Sequence, residues 1–192
     1  MIPAWAHVLS GVGLRLYRRN LNAERYGDPE TKGVKNFFNS RFWPIASGSS
    51  KLGYQLIPLL AGHAFLQRVI PNQFEGGSSN INLSYVSHAF ARHPALSYAG
   101  FSTLLIVACF HITWGWAKWM GFTPDQATSM GPERELAKKR RWYTINGLAA
   151  GLTGLWMAGS FGVLAKGGAA SGWLGKLYDE MLAKVPLSQW WI

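Results

Sequence analysis

The sequence is poor in charged residues, and those it has are unevenly distributed. Asp, Glu, Lys and Arg make up 15% of its 192 residues, against about 25% in a typical soluble domain. Residues 95–117 contain none of the four. As a helix this segment would be about 34 Å long, enough to cross the roughly 30 Å hydrocarbon core of a bilayer. Its length and composition favour a membrane span over the buried helix of a soluble protein.

Cysteine and carboxylates are also scarce. Cys109 is the only cysteine, so an internal disulfide is excluded. Nine Asp and Glu stand against 19 Lys and Arg, which gives a net charge of +10. A basic chain can bind nucleic acid, but these basic residues cluster beside apolar segments and no nucleic-acid-binding motif occurs, so we expect no such partner. The spans hold no paired carboxylates, and the sequence has no phosphate-binding loop and no plausible Ser–His–Asp set, so we expect no enzyme.

Four apolar segments predict a single all-α integral membrane domain over residues 1–192, with about four transmembrane helices in a bundle. They are residues 1–14, which form only a partial span, 52–70, 95–117 and 142–165, followed by an interfacial tail at 166–192. Lys and Arg number 8 in residues 15–51, 2 in 68–92, 6 in 118–141 and 3 from 166 onward. Four alternating spans would place 14 of them on one side and 5 on the other, which reproduces the positive-inside bias.

The segments between the spans are predicted to be connectors. Residues 20–50, 72–93 and 121–141 are expected to be loops, with His88 and His93 solvated. Within the last span, Gly147 and Gly151 would lie on one helical face, and such faces let membrane helices approach closely. Residues 174–185 are predicted to form a short amphipathic helix in the tail.

Three of the five histidines, His7, His63 and His111, fall inside predicted spans. An ionisable side chain at membrane depth is costly and is therefore a functional candidate. The alternative is a neutral histidine that is hydrogen-bonded across a helix interface.

His7 and His111 share a local pattern. Each is followed one turn later by a glycine, Gly11 or Gly115, and then by a basic residue at the end of the span. Such a glycine would leave a flat surface beside the imidazole, as a haem between helices needs. Both histidines would lie roughly 10–12 Å inside the basic side, and the two axial ligands of one iron must lie at similar depth. The pattern predicts haem b with His7 and His111 as iron ligands, while His63, about 18 Å from that side, would serve a second site or a kinked helix.

Three stretches carry a family resemblance: HVLSGVGLRLYRR near the start, GYQLIPLLAGHAFLQRVIP, and the Gly-Gly-Ser-Ser loop with the His111 helix after it. Together they resemble the transmembrane domain of the fungal mitochondrial outer-membrane adaptor family Mcp-one. The resemblance implies five helices, arranged as two repeated pairs plus one more. The second pair would consist of one helix with His63, Arg68 and Pro71 and a following helix with His111 and Gly115. Residues 7–11 would belong to the first pair.

The resemblance also implies a function and a missing segment. The family recruits a bridge-like lipid-transfer protein of the Vps-thirteen class to mitochondria through a Pro-x-Pro motif, and its overproduction relieves loss of the ER–mitochondria tether. These 192 residues contain no Pro-x-Pro. The sequence is therefore expected to represent a family member without its first helix and soluble N-terminal region.

Three functions follow as hypotheses. The first is a multi-pass mitochondrial outer-membrane adaptor that supports lipid homeostasis at organelle contact sites, with membrane lipids as partners and haem b as a further ligand. The second is a b-type cytochrome or quinone-reactive membrane anchor, with Ser10 and Arg15 near a quinone or propionate. The third is a lipid scramblase or transporter, suggested by polar residues within the spans: Tyr54, Gln55, Ser102, Thr103 and Asn146.

Overall fold

The described chain is helical, as predicted. The computed structural model describes residues 2–26 and 47–185, and within them there is no strand. The helices are α1 (Ile2–Tyr26), α2 (Gly48–Ala64), α3 (Leu83–Arg92), α4 (Pro94–Trp119), α5 (Gly131–Gly167) and α6 (Gly172–Ala183). A π-helical turn (Phe65–Val69) continues α2, and 3-10 turns lie at Pro71–Gln73, Gly77–Asn80 and Pro124–Gln126. The chain divides into two compact units, Met1–Ser47 with α1 and Gly48–Ile192 with the other five helices.

Two helices in these ranges are long and apolar enough to cross a membrane, within Pro94–Gln126 and Gly131–Gly167. They contain the predicted spans 95–117 and 142–165. Large apolar side chains on α5 are exposed, among them Leu155 at 75% and Trp156 at 54%. Both residues lie in the uncharged stretch 142–165 of α5, where such a surface fits contact with lipid. The count of four spans and the repeated helix pair stay predictions.

Helices α2, α4 and α5 form a layer in which α4 contacts both neighbours. On α5 the buried residues Ile145, Ala149 and Thr153 recur every fourth position and so share one face. The face of Gly147 and Gly151 is different, because a Cβ at either position would meet nothing within 4 Å. The close approach predicted for these two glycines is therefore not made with any helix that the structure describes.

Two helices extend through segments that were predicted to be loops. Helix α1 continues past Arg15 to Tyr26, and α5 begins at Gly131, with Pro132 in its first turn. The prediction was wrong here because Lys and Arg end an apolar span without ending a helix. Both are good helix formers, and the backbone hydrogen bonds continue into the polar region.

A second correction concerns residues 72–93, which contain α3 instead of a loop throughout. Asn82 caps α3, since its side-chain oxygen accepts a hydrogen bond from the Tyr85 N–H at 3.1 Å. Helix α6 begins two residues before the predicted amphipathic segment 174–185 and ends two residues before its end, and it contacts α3. We call residues 65–93 and 168–185 the α3–α6 lobe. Its buried apolar cluster draws on both helices and on the connector after α2: Ile70, Tyr85, Tyr178, Met181 and Leu182.

Candidate functional site

His111, the predicted haem ligand on α4, lies against α2. Its Nδ1 is 2.8 Å from the Ser49 carbonyl oxygen. A carbonyl only accepts hydrogen bonds, so Nδ1 carries the proton and donates it. The ring is half-buried. His111 therefore links two helices of the layer through a backbone carbonyl.

Gly53 on α2 is the glycine beside this imidazole. A Cβ at position 53 would lie 2.8 Å from His111 Cε1 and 3.2 Å from Nδ1. Gly115 was predicted to provide the flat surface, yet a Cβ there would meet nothing within 4 Å, and the same holds for Gly11. The glycine that matters is on the facing helix, where sequence spacing within one helix could not identify it.

His63 does not share a depth with His111. It follows Gly53 by ten residues on the same helical path, which places it about 15 Å further along the axis. His7 lies on α1, in the other unit. The pairing of His7 with His111 therefore stays a prediction.

The residues of the Gly48–Ile192 unit do not by themselves fit a haem with two histidine ligands. The hydrogen bond from His111 Nδ1 to a backbone carbonyl orients the ring as in a ligand whose Nε2 binds metal. However, Gly53 lies against one edge of the ring, and His63 is at a different depth. Among the described residues, no group of three or more His, Cys, Asp or Glu is placed to hold a metal ion.

Two of the polar residues in the predicted spans, Asn146 and Thr103, use their side-chain hydrogen-bonding groups inside the protein. Asn146 on α5 accepts a hydrogen bond from the Trp114 Nε1–H on α4 at 3.3 Å and donates one to the Trp142 carbonyl at 2.8 Å. The Thr103 hydroxyl donates to the Ala99 carbonyl at 2.7 Å. These contacts join helices or satisfy local backbone groups, as is usual for polar residues in membrane helices.

His88, predicted to be solvated, is instead buried at the centre of the α3–α6 lobe, with 1% exposure. Its Nδ1 accepts a hydrogen bond from the Ala170 N–H at 3.1 Å. Its Nε2 therefore carries the proton and donates to Asp179 Oδ1 at 3.0 Å. The Tyr178 ring packs edge-on against the imidazole, 5.6 Å between centroids. One histidine thus joins α3 to α6 and to the segment that follows α5.

Arg92 holds the same carboxylate with two parallel hydrogen bonds. Its Nε donates to Asp179 Oδ1 at 3.1 Å and its Nη2 to Oδ2 at 2.8 Å. The guanidinium holds the pKa of Asp179 below its usual range, with a smaller contribution from His88, while partial burial opposes both. His88 and Arg92 are one helical turn apart on α3, so a single carboxylate of α6 meets both.

Two tyrosines complete this network. The Tyr178 hydroxyl donates to Asn82 Oδ1 at 3.1 Å, the same oxygen that caps α3. The Tyr85 hydroxyl donates to the Leu66 carbonyl at 3.3 Å, and the two tyrosine rings meet edge-on at 5.3 Å. In the sequence, Asn82 before an apolar–polar run was a helix-start signal that could have revealed α3. The partners on α6 had no comparable signal. These contacts connect α3 to α6 and to the segment that follows α2.

A known family matches the region from within α2 to the residues that follow α5, but not α6. Residues 58–169, more than half of the chain, match the family described as MDM10-complementing protein 1, transmembrane domain. The match begins within α2 and includes α3, α4 and α5. No curated protein and no solved structure matches the chain. The chain therefore belongs to the MDM10-complementing protein 1 transmembrane-domain family and is a membrane protein.

Proposed function

We propose that this protein is a non-enzymatic, multi-pass adaptor of the mitochondrial outer membrane that supports lipid homeostasis at organelle contact sites. The family match over residues 58–169 is the observation on which the proposal rests. A bridge-like lipid-transfer protein is the proposed partner. Because these 192 residues contain no Pro-x-Pro, their own contribution would be membrane anchoring and any contact made through another surface.

The division of the structure into long apolar helices and the separate α3–α6 lobe supports an anchoring role. Helices α4 and α5 supply the apolar spans. At one end of these helices, the α3–α6 lobe is held together by His88, Arg92 and Asp179. A lobe that is already held together by such contacts loses less conformational entropy when a partner binds than a flexible segment would.

Expression in fungal cells that lack the ER–mitochondria tether tests this proposal. The tagged chain is expected to co-purify with mitochondria, to resist carbonate extraction, and to improve growth when overproduced. An unrelated outer-membrane anchor with the same tag, at the same level, is the matched control. Residence in another membrane would reject the proposed location. Correct location with no growth benefit over the control would reject the adaptor role for this chain.

The cytochrome alternative has one observation in its favour, the orienting hydrogen bond from His111 Nδ1 to the Ser49 carbonyl. Oxidised and dithionite-reduced optical spectra of the detergent-purified chain, expressed with ample haem, test it. Haem bands that disappear in His7→Ala and in His111→Ala but persist in His63→Ala would favour a bis-His site. A featureless spectrum from folded protein would reject the cytochrome alternative.

A further inference from the structure

The connector between α4 and α5 is held in one conformation by charged side chains. Lys118 at the end of α4 pairs with Asp125 in the connector. From α5, Arg141 Nη1 donates to the carbonyls of Gly121 at 3.1 Å and Thr123 at 3.3 Å. Lys118 and Arg141 therefore have structural partners within the protein, and their contacts hold the connector beside the first turns of α5.

A groove of about 330 Å³ lies where this connector meets α5. It is lined by Pro124 from the connector and by Lys138, Lys139, Trp142 and Tyr143 from α5. Its volume is at the lower end of the range of about 300–1,000 Å³ for small-molecule sites. It is therefore large enough for a headgroup, provided that the attached chains continue outside it.

The four α5 residues form two pairs with a spacing of four, so each aromatic ring lies one turn beyond a lysine on the same face. Trp142 and Tyr143 are 48% and 68% exposed, and their rings meet edge-on at 5.1 Å. Trp142 begins the stretch of 24 residues without a formal charge, which is where aromatic side chains lie at a membrane interface. If α5 enters the membrane at Trp142, the two ammonium groups lie at headgroup level and the two rings lie beside the upper part of the acyl chains.

The charge balance favours an anion in this groove. Lys138 pairs with Glu135 at 2.7 Å, whereas no ion pair of Lys139 occurs among the described residues. Residues 138–141 are Lys-Lys-Arg-Arg, and a basic run beside a membrane span attracts anionic lipids. The Glu135 carboxylate therefore neutralises only part of the positive charge that Lys138 and Lys139 bring to the groove.

We propose that this groove binds the headgroup of an anionic phospholipid. Lys138 and Lys139 would contact the phosphate and acidic headgroup, while Trp142 and Tyr143 would pack against the glycerol and upper acyl chains. The proposal requires that α5 enters the membrane at Trp142. It does not depend on an adaptor role or on a lipid-transfer partner, so the two proposals can fail separately.

Native mass spectrometry of the full chain, released from detergent with added phosphatidylserine or phosphatidylcholine, tests the proposal. Phosphatidylserine is expected to bind more tightly. Loss of each lysine, in Lys138→Gln and Lys139→Gln, should lower its affinity about fivefold. The double variant Lys138→Gln/Lys139→Gln should lose both contributions. Its matched control is the double variant Lys166→Gln/Lys176→Gln, which also loses two charges but elsewhere and should bind normally.

Further outcomes separate a built lipid site from general attraction. Tyr143→Ala leaves the charge unchanged and is expected to weaken phosphatidylserine binding as well. Equal binding of both lipids, or equal loss in the control variant, would overturn the proposal. Competition by soluble glycerophosphoserine at the same concentration as the lipid would also overturn it, because the site would then take a free anion. If Lys138→Gln/Lys139→Gln does not fold, Lys139→Gln alone provides the test.

Discussion

Replacing His88 by alanine removes the residue that joins three segments of the α3–α6 lobe. The Ala170 N–H loses its acceptor, and Asp179 loses one donor. A buried donor without a partner costs about 1–3 kcal/mol, and the lost edge-on contact with Tyr178 costs about 0.5–1.5 kcal/mol. Asp179 keeps Arg92 and is 41% exposed, so water replaces the imidazole there at little cost. We therefore expect a loss of about 2–4 kcal/mol in the stability of the lobe.

Amide hydrogen exchange of the detergent-purified protein measures this loss locally. A loss of about 2–4 kcal/mol corresponds to faster exchange in α6 by a factor of about 30–1,000, with α4 and α5 much less affected. The control is His93→Ala on the residue that follows α3. It is half-buried, and the structure describes no side-chain hydrogen bond for it. If His88→Ala leaves exchange in α6 at the level of His93→Ala, the reasoning from the hydrogen-bond network is refuted.

Two further predictions concern the same lobe and the α2–α4 contact. Because Arg92 depresses the pKa of Asp179 in the folded state, the contribution of this pair is present above the ordinary carboxyl pKa and is lost as the pH falls through the depressed value. The protection of the α6 amides, measured as the observed exchange rate relative to the intrinsic rate at each pH, should therefore fall in acid. Asp179→Asn should weaken this pH dependence of the protection, and an unchanged profile would contradict the assignment. Gly53→Ala places a methyl group 2.8 Å from His111 Cε1 and should destabilise the protein by about 1–3 kcal/mol in thermal unfolding. The control is Gly62→Ala on the same helix, whose added methyl group meets nothing within 4 Å and should be neutral or slightly stabilising. Combining Gly53→Ala with His111→Ala should reduce the loss of stability that Gly53→Ala causes. Equal effects of the two glycine variants on stability would refute the contact between Gly53 and His111.

The apolar helices were predictable because the evidence for them is local. Long uncharged stretches identified α4 and α5, since composition and length along one segment suffice to favour a membrane span. The same reasoning placed the ends of the helices wrongly. It treated Arg15 and residues 138–141 as ends of helices, although a change from apolar to basic residues marks only the edge of the apolar stretch.

The sequence alone determined that the chain is helical, where its apolar stretches lie, and which family it resembles. These properties depend on the order of residues within single segments. The tertiary structure decided which side chains meet. His88 and Asp179 are 91 positions apart in sequence, and His111 meets Ser49 and Gly53 on another helix. No periodicity within one helix specifies such pairs, because they depend on which faces of separate helices pack together and at what depth. For that reason His88, which was predicted to be solvated, is buried between α3 and α6 in the structure. For the same reason His111, a predicted haem ligand, lies in the contact between α2 and α4.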